Sequence, residues 1–133
     1  MKERAHPFLT VVIPTYNRAD VLPRAIRSVL QNPDPDIECL VVDDGSSDST
    51  QNLLATYADP RLRVVTHEKN RGVNAARNTG HRTASGQWVT TVGSDDELLI
   101  GALDELKRAC TEYGENWRVF GFRGLLHDSQ TGK

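Results

Sequence analysis

Leu9-Thr10-Val11-Val12-Ile13-Pro14 is a short β-branched, apolar run that stops at a proline. A run of this length, with apolar residues on both faces, reads as a strand buried on both faces of a sheet. Downstream the periodicity changes. Val21, Leu22, Ala25, Ile26, Val29 and Leu30 recur on one helical face, with Asp20 placed to cap it and Pro23 in its first turn. The stretch 32–36, with two prolines, ends that helix, and Glu38 to Asp43 (ECLVVD) repeats the buried-strand pattern. A polar loop from Gly45 to Ser49 leads into a helix over 51–57, closed by Asp59-Pro60. Arg63 to Thr66 reads as a third, weaker strand, 74–83 as a helix, Ser85-Gly86 as a turn and Trp88 to Val92 as a fourth strand. Leu98, Leu99, Ala102, Leu103 and Leu106 carry helical spacing into a helix expected over 98–113, and Val119 to Phe122 reads as a fifth strand before a frayed end. Alternating strands and helices specify an α/β domain with a mainly parallel sheet and helices on both faces.

Composition agrees with one such domain over residues 1–133. The chain is 38% hydrophobic and 26% charged, enough for a packed core. A net charge of −2, from 16 basic and 18 acidic residues, gives no nucleic-acid footprint. No apolar run reaches the roughly 20 residues of a membrane helix, and Met1-Lys2-Glu3-Arg4 opens no signal segment. A peripheral membrane contact stays compatible with this. Cys39 and Cys110 read as buried free thiols, which points to a reducing, cytoplasmic compartment. His6, His67, His81 and His127 have no ligand spacing and read as surface or core histidines; Trp88 and Trp117 read as core.

In an open parallel sheet, ligands bind beyond the carboxyl ends of the strands, at the switch in strand order. Those ends carry Pro14-Thr15-Tyr16-Asn17-Arg18, Asp43-Asp44-Gly45-Ser46-Ser47-Asp48, Asn70-Arg71-Gly72 and Gly93-Ser94-Asp95-Asp96-Glu97. Taken singly, each reads most simply as a cap or turn; together they bring an aromatic ring, carboxylates and arginines to one rim. Tyr16 offers a flat face to a nucleobase, and Asp44 an acceptor for a ring N–H. Asp95 and Asp96 can hold a hard divalent cation together with substrate phosphates, where it acts as a Lewis acid on a leaving diphosphate. G-x-G-x-x-G is absent after the first strand, as is the P-loop spacing, and position twelve of a calcium-loop reading starting at Asp44 is Ala55, not glutamate.

Four ordered blocks over about residues 8–99 resemble the family 2 glycosyltransferases of GT-A, Rossmann-like fold. They are Val11-Val12-Ile13-Pro14-Thr15-Tyr16-Asn17, the segment 41–48, Asn70 to Gly80 (NRGVNAARNTG), and Ser85 to Asp96 (SGQWVTTVGSDD). The resemblance implies a nucleotide-sugar-binding domain. Thr15 and Tyr16, with Pro14 and Asn17 beside them, would line the base pocket. Asp44 would read a uracil with Asp43 beside it, Arg71 or Arg77 would hold base or phosphates, and Ser94 would lie near the ribose. Asp95, with Asp96, would meet manganese or magnesium. The expected reaction is inverting transfer from a UDP-sugar to a hydroxyl of a saccharide, lipid or protein acceptor.

Two departures stand out. The family's D-x-D has Gly93 at its first position, and the acceptor-binding part, with its general base, is expected outside these residues. Two other readings fit the same residues: a nucleotide-binding module without catalysis, and a structural domain with a vestigial cleft.

Overall fold

A computed structural model describes residues 6–113. Four strands form one sheet in the order β3-β2-β1-β4, every pairing parallel: β1 Leu9–Thr15, β2 Ile37–Asp43, β3 Leu62–Thr66 and β4 Trp88–Thr91. Four helices connect or follow them: α1 Leu22–Leu30, α2 Thr50–Leu54, α3 Val73–Thr83 and α4 Ala102–Tyr113.

All seven residues of β1 are buried, as a central parallel strand requires. Its side chains alternate between two cores. Leu9, Val11 and Ile13 join Cys39 and Val41 of β2 under α1, with Leu54 of α2 and Leu103 of α4. Val12 joins Leu40 and Val42 under Ala76 of α3. The helices therefore cover both faces. Each fully buried Val, Leu or Ile contributes roughly 1.5–3 kcal/mol. Helix α3 packs close to β1 because Gly80 has no side chain: a Cβ there would stand 2.3 Å from Val12 Cγ1.

Three local expectations are corrected. Asp20 does not cap α1; the helix starts at Leu22 with Val21 in the N-cap position, and the Val21 and Leu22 amides donate to the Arg18 carbonyl. The helix expected over 51–57 is shorter, Thr50–Leu54, and its entry is fastened by Asp48, whose Oδ1 accepts from the Thr50 amide at 3.0 Å and hydroxyl at 2.5 Å. Helix α4 begins at Ala102 rather than Leu98, because Gly101 at φ +86° breaks the helical path; Leu99 and Ile100 are left exposed. Cys39 and Cys110 are buried free thiols as read, and burial pushes the Cys39 thiol up to about 12. Trp88 packs against the larger core. The expected fifth strand, Trp117, His127 and the chain end lie outside the described residues.

Candidate functional site

The chain runs outward from β1 to β2 to β3, then returns to place β4 on the other side of β1. The switch in strand order thus falls between β1 and β4, and the carboxyl ends of both strands border one cleft of about 450 Å³, the size of a small-ligand pocket. From the β1 end come Pro14, Thr15, Tyr16 and Arg18; from β2, Asp44; from the loop and first turns of α3, Asn70, Gly72, Val73, Ala76 and Arg77; from the β4 end, Gly93, Ser94, Asp95 and Asp96. Tyr16 keeps an exposed ring on this rim.

Of the expected residues, Asn17, Asp43 and Arg71 do not line the cleft. Asn17 takes a left-handed φ of 51°, which asparagine tolerates, and its Oδ1 accepts from the amides of Ser47 at 2.8 Å and Asp48 at 3.2 Å. It ties the loop after β1 to the loop after β2. Asp43 is buried, and its Oδ1 accepts from the Ser46 hydroxyl and amide. Its Oδ2, and Thr15 Oγ1 in the register position beside it, are buried without a partner among the described residues. Arg71 contributes its backbone amide rather than its guanidinium: it donates to Asp44 Oδ1 at 2.9 Å.

Asp44 is buried and bonded through both carboxylate oxygens. It accepts from the Arg71 amide and, through Oδ2, from the Gly72 amide at 2.8 Å, while His67 Nδ1 lies 2.7 Å from Oδ1. Burial pushes its pKa up, but the bonds from His67, Arg71 and Gly72 outweigh that, and the carboxyl ends below its ordinary value. The carboxylate thereby clamps the segment before α3 against the end of β2. Gly45 is part of the same contact: it sits at φ +77°, and a Cβ there would meet the Lys69 and Asn70 backbone at 2.7–2.8 Å.

The acidic end of β4 is built around Gly93. A Cβ on that residue would lie 2.6 Å from Asp96 Oδ2 and 3.2 Å from Asp95 Oδ1, so both carboxylates crowd one point. Arg24 of α1 donates to the Asp95 carbonyl at 2.9 Å and holds this turn from below. No group of three or more His, Cys, Asp or Glu side chains converges among the described residues. Two carboxylates fit a magnesium- or manganese-type site that completes its shell with phosphate oxygens and water. A larger depression of about 880 Å³ at the opposite strand ends, lined by residues from His6 to Phe8 and Ala84 to Gln87, has neither a carboxylate nor an arginine.

A family model described as glycosyl transferase family 2 matches residues 10–120. The chain belongs to glycosyl transferase family 2. This family 2 chain is 34% identical over 143 aligned residues to the GalNAc(5)-diNAcBac-PP-undecaprenol β-1,3-glucosyltransferase of Campylobacter jejuni, covering 96% of the chain and 46% of that protein. Among solved structures it is similar to S. aureus TarS 1–349 in complex with UDP (TM-score 0.75, 29% identity, 80% of this chain and 33% of that one). It is also similar to the mannosyltransferase PcManGT of Pyrobaculum calidifontis in complex with GDP-Man and Mn2+ (TM-score 0.70, 29% identity, 84% and 33%). The sheet and its helices are thus the GT-A architecture. The chain spans half or less of the length of the first curated relatives it matches. No helix among the described residues is long and apolar enough to cross a membrane.

Arg18, Asn70, Gly72, Val73 and Ala76 were not singled out as site residues from sequence. The signal for Arg18 was adjacency to Tyr16 at a strand end. The others belong to the loop and first turns of a helix whose approach to the rim depends on the close packing at Gly80.

Proposed function

We propose that the chain forms the donor side of a glycosyltransferase site, binding a nucleoside diphosphate sugar, preferentially a UDP-sugar, with manganese or magnesium. The observation that carries this reading is one cleft at the β1–β4 switch point that gathers the Tyr16 ring and the Asp44 carboxylate with the paired carboxylates of Asp95 and Asp96. The similarity to structures holding UDP and GDP-Man with Mn2+ supports it. The acceptor-binding part and the general base are assigned to none of the described residues.

In this reading Tyr16 stacks on the base, Asp44 accepts from its ring N–H, and Ser94 lies near the ribose. Arg18 and Arg77 offset the charge of the diphosphate. Asp95 and Asp96 hold the cation, which supplies Lewis-acid stabilisation of the departing diphosphate. In the whole enzyme an acceptor hydroxyl oxygen forms a bond to the anomeric carbon as the bond to the diphosphate oxygen breaks. The hydroxyl proton passes to the general base, with inversion. The acceptor is a saccharide, lipid or protein hydroxyl, and the undecaprenol-linked substrate in one relative's name favours a lipid-linked glycan met at the membrane surface, in the cytoplasm. Gly93, which removes one carboxylate from the acidic end, favours a second reading: a nucleotide-binding module without turnover.

Calorimetric titration with UDP, with and without manganese, tests the donor site. Metal-dependent binding is the expected result; absence of binding in both conditions removes the reading. Turnover in a longer chain, abolished by Asp95→Asn, separates the enzyme from the module.

A further inference from the structure

Behind the cleft lies a buried polar chain that the donor-site reading does not use. His67, at the end of β3, is 8% exposed. Its Nδ1 is 2.7 Å from Asp44 Oδ1, and its Nε2 is 2.8 Å from Thr79 Oγ1 on α3. The His67 amide donates to the Asp43 carbonyl at 2.8 Å, which fixes the ring's backbone to β2. An ionised carboxylate only accepts, so Nδ1 carries the proton that joins His67 to Asp44. Thr79 in turn is 8% exposed and lies two turns into α3, so the imidazole is held from both sides.

The arrangement fixes which oxygen of Asp44 has capacity left. Oδ1 has two donors, His67 and the Arg71 amide; Oδ2 has one, the Gly72 amide. A carboxylate oxygen accepts two hydrogen bonds, so the open acceptor site is on Oδ2. Without His67 the carboxylate has only two backbone donors from one loop, and rotation about its Cβ–Cγ bond would exchange the two oxygens.

We propose that His67, backed by Thr79, is a positioning residue for Asp44, holding its Oδ2 so that the cleft presents a single acceptor that selects nucleoside diphosphates with a ring N–H. Uracil N3–H, thymine N3–H and guanine N1–H satisfy such an acceptor. Cytosine N3 is itself an acceptor and leaves two lone pairs opposed, a mismatch that binding sites reject strongly. The inference rests on the donor-site reading of the cleft and adds to it the residue that sets base choice. Arg18, Arg77, Asp95 and Asp96 line the same cleft as Asp44, Asp43 precedes it on β2, Arg71 lies in the loop bonded to it, and Arg82 Nη2 is 3.5 Å from Thr79 Oγ1 behind His67.

The test uses the full chain and three variants, His67→Leu, His67→Asn and Thr79→Val. Amide hydrogen exchange at Arg71 and Gly72 reads the clamp without any ligand. Titration with UDP and CDP in manganese reads base choice, and UDP affinity against pH reads the acid limb. In His67→Leu, exchange at the two amides rises, UDP affinity falls by roughly tenfold, the loss expected for one buried charge-assisted bond, and CDP affinity stays. The acid limb moves to higher pH, because Asp44 has lost a donor that holds its carboxyl low. His67→Asn, whose amide nitrogen replaces Nδ1, restores most of the UDP preference. Thr79→Val moves every readout the same way by less, and decides the matter if His67→Leu does not fold.

An equal fall for UDP and CDP with an unmoved acid limb overturns base selection, and unchanged exchange at Arg71 and Gly72 overturns the clamp. Failure of the unaltered chain to bind UDP at all overturns the donor-site reading and base selection with it, while exchange still judges the clamp.

Discussion

In the proposed donor site, single residues set the strength of the two ends of the cleft. Tyr16 keeps its ring exposed on the rim, so Tyr16→Ala should weaken UDP binding by roughly tenfold, the order of one stacked base, as read by calorimetry. Unchanged affinity would show that the base lies elsewhere. At the acidic end, an aspartate at position 93 would enter the point that Asp95 and Asp96 already crowd. The nearest atoms are side-chain ends that can turn aside, and Gly93 is not among the glycines of positive φ. Gly93→Asp should therefore tighten manganese binding by roughly tenfold, as ligand charge count does at oxygen sites. In a metal titration, no gain would mean that the cation sits away from this turn. The residue types at both ends were readable because strand ends in a parallel sheet converge. The link from His67 to Asp44 was not: His67 could be read as a core histidine, but its partner 23 positions away is fixed by the β2–β3 register, where Asp43 pairs with Thr66.

Elements position those residues through a few close contacts. Gly80→Ala would drive a Cβ against Val12 and lift α3 from β1, costing about 1–3 kcal/mol as overpacking does. Urea unfolding should show this, and Val12→Ala in the same chain should recover part of it; equal losses in both chains would mean that α3 does not rest on Val12. The strands were legible because β-branched runs such as Leu9–Ile13 and Leu40–Val42 have no alternative burial. Helix starts were less so. Asp20 has cap chemistry, but the Arg18 carbonyl supplies the turn instead. Leu98 to Ile100 continue the apolar spacing of α4, yet Ile100 is 92% exposed, because periodicity does not register the backbone angle at Gly101.

Across the whole molecule, titratable groups with shifted pKa values bound the range of stability. Asp44 and Asp59 have lowered folded pKa values: burial pushes Asp44 up, but its hydrogen bonds prevail, and Asp59 is held down by Arg61. Their contribution is complete above the unfolded value of 3.8 and is lost as pH falls through the lower folded values. Cys39 has the opposite sign: its stabilising effect is complete below 9.0 and is lost as pH rises from there toward about 12. Urea midpoints should form a plateau between these limits and fall outside them, and Cys39→Ala should flatten the alkaline side; an unaltered alkaline slope would assign it to other groups. The strand order has a further consequence, for the order of assembly. Leu9 is in register with Trp88, so the central strand meets its second neighbour only across most of the described chain. Such a pairing closes a long loop and forms slowly. On a ribosome β1 would emerge first, pair with β2, and keep one apolar edge open until β4 arrives; over that interval the nascent chain is exposed to association with its own copies.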